Sequence, residues 1–142
     1  MLIPKVREER SGWRDEALSL RHREWGWDCP ALDVDFLLIE YDYGHPVALV
    51  EYKHEDAAPQ VVTHPSYRAL IELADRASLP LFVVRYAEGF AWFRVVPLNE
   101  QAKECLSDRI TWSEKEYVSF LYGLRGRHIP SEIAESLSEG IA

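Results

Sequence analysis

The chain is poor in cysteine, with Cys29 and Cys105 alone among 142 residues, and their separation matches no metal-ligand spacing. Neither a structural zinc site nor a disulfide framework is expected, and both thiols read as reduced in a cytoplasmic protein. No apolar run approaches the roughly 20 residues of a membrane span. The opening Met-Leu-Ile-Pro-Lys-Val-Arg-Glu-Glu-Arg lacks the apolar stretch of a secretory leader. Internal repeats, low-complexity tracts and linkers are also missing, so a single domain over residues 1–142 is expected. Positive charge is scarce. Sixteen Lys and Arg against 24 Asp and Glu leave a net charge of −8, which opposes indiscriminate adhesion to nucleic acid.

What the chain does contain is apolar material, 47% hydrophobic and 12% aromatic, enough for a packed core. The shortage of positive charge is also local. Residues 28–56 hold eight acids (Asp28, Asp33, Asp35, Glu40, Asp42, Glu51, Glu55 and Asp56) and one base, Lys53. A divalent cation would be at home there, although turns and strand ends are often acidic for solvation alone.

The acidic segment contains two apolar runs joined by Asp-Tyr-Gly-His-Pro, which predict strands at about 34–42 and 46–53. Both are apolar on nearly every residue, so cover on both faces is expected. A helix is predicted from Ser11 to Trp25, ended by Gly26, and a second from Pro65 to Ala77. Leu81–Tyr86 and Phe90–Val96 read as further strands around a Glu88-Gly89 turn. Residues 99–106 suggest a short helix. Ser113-Glu-Lys-Glu116 is a capping box before a helix Glu114–Leu124, and 131–142 a short amphipathic or frayed helix. The expected fold is a mixed α/β domain with an antiparallel hairpin and a crossover helix leading to a further central strand.

Folding the hairpin brings an acid at the start of the first strand close to Glu51-Tyr52-Lys53 at the end of the second. Glu51 and Lys53 share a face, and Tyr52 points to the other. A turn centred near Tyr43-Gly44 puts Asp35 opposite Tyr52 or Lys53, and a one-residue slip changes its face. Two adjacent carboxylates repel, and a hard cation such as Mg²⁺ removes the conflict. With Lys53 beside them, these are the ingredients of metal-assisted phosphodiester hydrolysis. The plainer alternative is a strand-capping Asp beside an exposed Glu51–Lys53 ion pair.

Acid, apolar strand, turn, apolar strand and Glu-x-Lys, with a helix before and helix and strand after, resemble the PD-(D/E)XK nuclease superfamily over roughly residues 11–96. The resemblance implies a restriction-endonuclease-like core, with 99–142 as a helical extension. It implies an Mg²⁺- or Mn²⁺-dependent nuclease acting on DNA, with Asp35, Glu51 and Lys53 catalytic and Asp35, Glu51 and the Tyr52 carbonyl on the metal. Asp33 competes with Asp35, because no proline directly precedes Asp35; Asp35 is favoured since the strand follows it at once. Glu24, with Glu16 in reserve, would be the acid many members place on the first helix. Gln60 and Tyr67 stand near the positions of a Gln and Tyr found in some members. Such small chains often form a homodimer or join a larger complex. A catalytically inactive interaction or regulatory module on the same fold is the competing expectation. His22, His45, His54 and His64 read as surface or turn residues and Trp25 and Trp27 as packing; Arg68 and Arg85 could each bind phosphate or be a solvated or paired cation, and Arg125-Gly-Arg127 is a basic patch too short for a nucleic-acid site.

Overall fold

The computed structural model describes residues 16–26, 28–59 and 61–137. They fall into two compact units, Met1–Asp33 and Val34–Ala142. The described helix of the first unit, α1, runs Glu16–Trp25. The expected cap at Ser11 and first turn of that helix lie outside the described residues. Trp25, expected to be buried, is more than half exposed, with its ring edge-on to His22.

In the second unit a five-stranded mixed sheet is ordered β1-β2-β3-β4-β5, formed by Phe36–Glu40, His45–His54, Leu81–Tyr86, Phe93–Pro97 and Ile110–Trp112. Only β2 and β3 are parallel, and helix α2 (Pro65–Ala77) connects them. Helices α3 (Glu100–Cys105), α4 (Glu114–Leu124) and α5 (Ser131–Ser136) follow. A mixed α/β architecture is therefore observed. The segment after residue 99 also carries a strand, β5, where helices alone were expected; at three residues it is too short for periodicity to show.

Alternation along β2 separates two apolar layers. Leu49 packs with Leu70 and Ala74 of α2 and with Leu81. Ala48 and Val50 face the other way, onto Phe82, Val84, Val95 and Tyr117 of α4. Each such side chain withdrawn from water contributes roughly 1.5–3 kcal/mol before chain entropy is counted. Pro65 opens α2, the His64 ring accepts the Ser66 N–H, and Tyr67, Leu70 and Ala74 form its buried stripe. The capping box of α4 forms as its sequence predicts, Ser113 and Glu116 exchanging hydrogen bonds. The cover expected over both strands of the hairpin holds for β2 but not for β1, where Phe36 and Leu37 are about half exposed.

The hairpin register differs from expectation. Tyr41–Tyr43 form a 3₁₀ turn closed by Gly44 in the left-handed region (φ 64°), which pairs Glu40 with His45. Pro46 cannot donate a ladder hydrogen bond, and the pairing slips there: Ile39 faces Pro46, Leu38 faces Ala48, and Val47 bulges out between them. Beyond the bulge Phe36 faces Val50, so Asp35 comes opposite Glu51 rather than Tyr52 or Lys53. Without the extra residue Asp35 would face Val50 and turn to the α4 side.

Candidate functional site

Asp35 and Glu51 lock each other's strand ends. The Asp35 N–H donates to Glu51 Oε1 at 3.0 Å, and the Tyr52 N–H donates to Asp35 Oδ2 at 3.1 Å. This leaves Asp35 Oδ1 and Glu51 Oε2 without an N–H donor among the described residues. Asp35 is exposed, whereas Glu51 is only 7% exposed. Burial raises the Glu51 carboxyl above the usual carboxylate range, and the adjacent Asp35 carboxylate adds to the rise; the Asp35 N–H and the Lys53 charge pull the other way. The exposed Glu51–Lys53 ion pair is thus not what forms. Glu51 is buried, and Lys53 makes no ion pair among the described residues.

Lys53 lies two residues on, on the same face, with Arg85 of β3 directly across from it. Arg85 Nη1 donates to the carbonyls of His54, Glu55 and Ala57 at 3.1, 3.3 and 2.8 Å, which fastens the chain leaving β2. Tyr67, in the first turn of α2, is buried against this face. Burial and the charges of Glu51 and Asp35 raise its hydroxyl, against the opposing pull of Arg85, so it stays a neutral donor. The Tyr52 ring is on the opposite face, its hydroxyl 2.5 Å from that of Tyr117; burial raises both and keeps them protonated.

The structure therefore brings together Asp35, Glu51, Lys53 and Tyr67. Glu24 and Asp33 belong to the first unit, where Glu24 is exposed and 3.5 Å from Arg21. Glu16 opens α1, and Gln60 lies outside the described residues. His54 turns to the Tyr52 face, where Nε2 is 2.7 Å from Glu88 and Nδ1 accepts the Asp56 N–H. Arg125 and Arg127 pair with Glu40 at the far end of the hairpin. Arg94 of β4 faces Arg85 and gave no sequence signal of its own. The Glu88-Gly89 turn, midway between the two arginines, would have predicted that pairing.

No family model matches the chain, and no curated protein or solved structure matches it.

Among the described residues no three His, Cys, Asp or Glu side chains form a ready-made metal cage, and no helix is long and apolar enough to cross a membrane. Both cysteines are free and exposed. Asp35 and Glu51 nevertheless fit a hard divalent cation: among the described residues their close carboxyls have no counter-charge at ion-pair distance, and Mg²⁺ often takes one or two carboxylates plus waters and substrate phosphate.

The buried charge has a measurable cost. Because the folded Glu51 carboxyl is raised, the native state holds its proton at a pH where the unfolded chain has lost it. Stability from this group falls as pH rises through that window, and the cost is fully present above it. Glu51→Gln keeps an acceptor for the Asp35 N–H and removes the charge. In metal-free buffer at pH 7 it is expected to stabilise the fold by about 1 kcal/mol, with the gain shrinking as pH falls toward the carboxylate range. Added Mg²⁺ should raise the melting temperature of the wild type alone. A Glu51→Gln variant that melts below the wild type at pH 7 refutes this account.

Proposed function

We propose that this protein is an Mg²⁺- or Mn²⁺-dependent nuclease with a restriction-endonuclease-like core that hydrolyses DNA phosphodiester bonds. The observation that carries the reading is the meeting of Asp35 and Glu51 across the bulged hairpin, with Lys53 beside them and in no ion pair among the described residues. The order of hairpin, crossover helix, parallel strand and antiparallel strand supports the fold assignment.

Asp35 and Glu51 would hold the cation. The Tyr52 carbonyl would join them, since N–H and C=O of one strand residue point the same way and the Tyr52 N–H already reaches Asp35. When bound, the ion supplies positive charge to a phosphoryl oxygen and makes a nearby water more acidic. Lys53 places an ammonium where the attacking water or a non-bridging oxygen gains negative charge. Tyr67, held protonated, can donate to the same phosphate. The Asp35 and Glu51 hydrogen bonds to backbone fix both carboxylates before substrate arrives.

The net charge of −8 favours a second reading, an inactive nuclease-fold module that binds another protein. Incubation with single-stranded, duplex and branched DNA and with RNA, in Mg²⁺ or Mn²⁺, separates the two. Cleavage by the wild type, lost in Asp35→Asn, is expected. No cleavage of any substrate, together with no Mg²⁺ binding by calorimetry, removes the nuclease reading.

A further inference from the structure

The register of the sheet lines up three cations. Lys53 faces Arg85, Arg85 faces Arg94, and Arg94 faces Thr111. Residues directly across from one another share a face, so all three cations project on the α2 side, the side of Glu51. Neighbouring strands lie about 4.8 Å apart, so the row crosses three strands over roughly 10 Å. Like charges directly opposite each other destabilise a sheet, so the row costs stability to keep.

None of the three sits at ion-pair distance from a carboxylate among the described residues. Among the described residues Arg85 is fastened by carbonyls alone. Arg94 donates from Nε to Thr111 Oγ1 at 3.2 Å, and its guanidinium lies 5.3 Å from the centre of the Trp92 ring. These partners hold each guanidinium in place without neutralising it. By contrast Arg21, Arg76, Lys103, Arg125 and Arg127 each sit at ion-pair distance from a carboxylate. On a chain of net charge −8, the row is a run of three positive charges aligned on one face of the sheet.

We propose that Lys53, Arg85 and Arg94 form a phosphate track that carries the sugar-phosphate backbone of a nucleic-acid strand across β2, β3 and β4. The binding step stands by itself. That the Lys53 end presents the phosphate to be cut, next to Asp35 and Glu51, rests on the proposed nuclease function.

The test is fluorescence anisotropy with labelled 20-nucleotide oligo(dT) and oligo(U) in EDTA at low salt. Wild type binds at least one of them. Arg94→Gln, at an exposed position, is expected to melt like wild type, to bind about tenfold more weakly and to lower the log–log salt slope by about 0.7–1. Arg94→Lys restores the slope, and Arg76→Gln, which removes a cation paired with Glu72, changes neither. Binding of neither oligonucleotide by wild type, or unchanged binding by Arg94→Gln, overturns the track. Binding without cleavage retains the track and removes the nuclease. Cleavage with an unaltered KM in Arg94→Gln retains the nuclease and removes the track.

Discussion

Lys53→Met is expected to lower phosphodiester cleavage by about 10²–10³-fold in kcat while leaving the fold intact. The Lys53 stem is half-buried, and Met replaces it with a chain of similar length and shape. The substitution also relieves repulsion with Arg85 across the β2–β3 pair, so stability should hold or rise. What disappears is a positive charge beside Asp35 and Glu51 that has no carboxylate at ion-pair distance among the described residues. A second signature goes with it. Lys53 draws the Glu51 carboxyl downward, so without it Glu51 keeps its proton to higher pH. The acidic limb of the pH–rate profile should therefore move to higher pH, as should the onset of Mg²⁺ binding. Lys53→Arg is expected to recover only part of the rate, because a planar guanidinium cannot take the place of a compact ammonium. A Lys53→Met chain that cleaves at the wild-type rate removes Lys53 from the chemistry.

The parts of the fold that the sequence announces are those governed by local rules. Leu81–Tyr86, Pro65–Ala77 and Glu114–Leu124 lie where propensity, proline and capping put them. The meeting of Asp35 with Glu51 was legible as a convergence but not as a pairing. Its register depends on Val47 bulging beside Pro46, and a strand apolar on both faces carries no alternation to reveal a bulge. The burial of Glu51 was hidden for a related reason: α2 lies over that face, and nothing in Glu-Tyr-Lys says which face a helix will cover. Arg94 carries no signal of its own, because its alignment with Arg85 arises only from strand pairing across the Glu88-Gly89 turn. The strand Ile110–Trp112 gains its order from β4 rather than from its own three residues.

Asn99→Ala is expected to destabilise the fold by about 3–4 kcal/mol, although Asn99 is far from the carboxylates in sequence. The side chain is 4% exposed and fully occupied. Oδ1 accepts the N–H groups of Leu81 and Ala102, both at 3.0 Å, while Nδ2 donates to Asp75 Oδ1 at 3.1 Å and to the Leu79 carbonyl at 2.8 Å. One amide thus ties the end of α2, the start of β3 and the N-terminus of α3. Alanine leaves two buried N–H groups and a carbonyl without partners, each worth roughly 1–3 kcal/mol when unsatisfied, less what water regains. Against a typical total of about 5–15 kcal/mol, that loss should lower the urea midpoint sharply at unchanged m-value and the melting temperature by roughly 10–15 °C. Asn99→Asp keeps the acceptor but loses both donors and sets a carboxylate against Asp75, so it should recover only a fraction. The consequence reaches the site because Leu81 begins the parallel pairing that carries Arg85 across from Lys53. Loosening β3 at its start should therefore weaken oligonucleotide binding on warming before the chain unfolds globally. A loss of stability under about 1 kcal/mol in Asn99→Ala would show that β3 is held in place by its apolar packing alone.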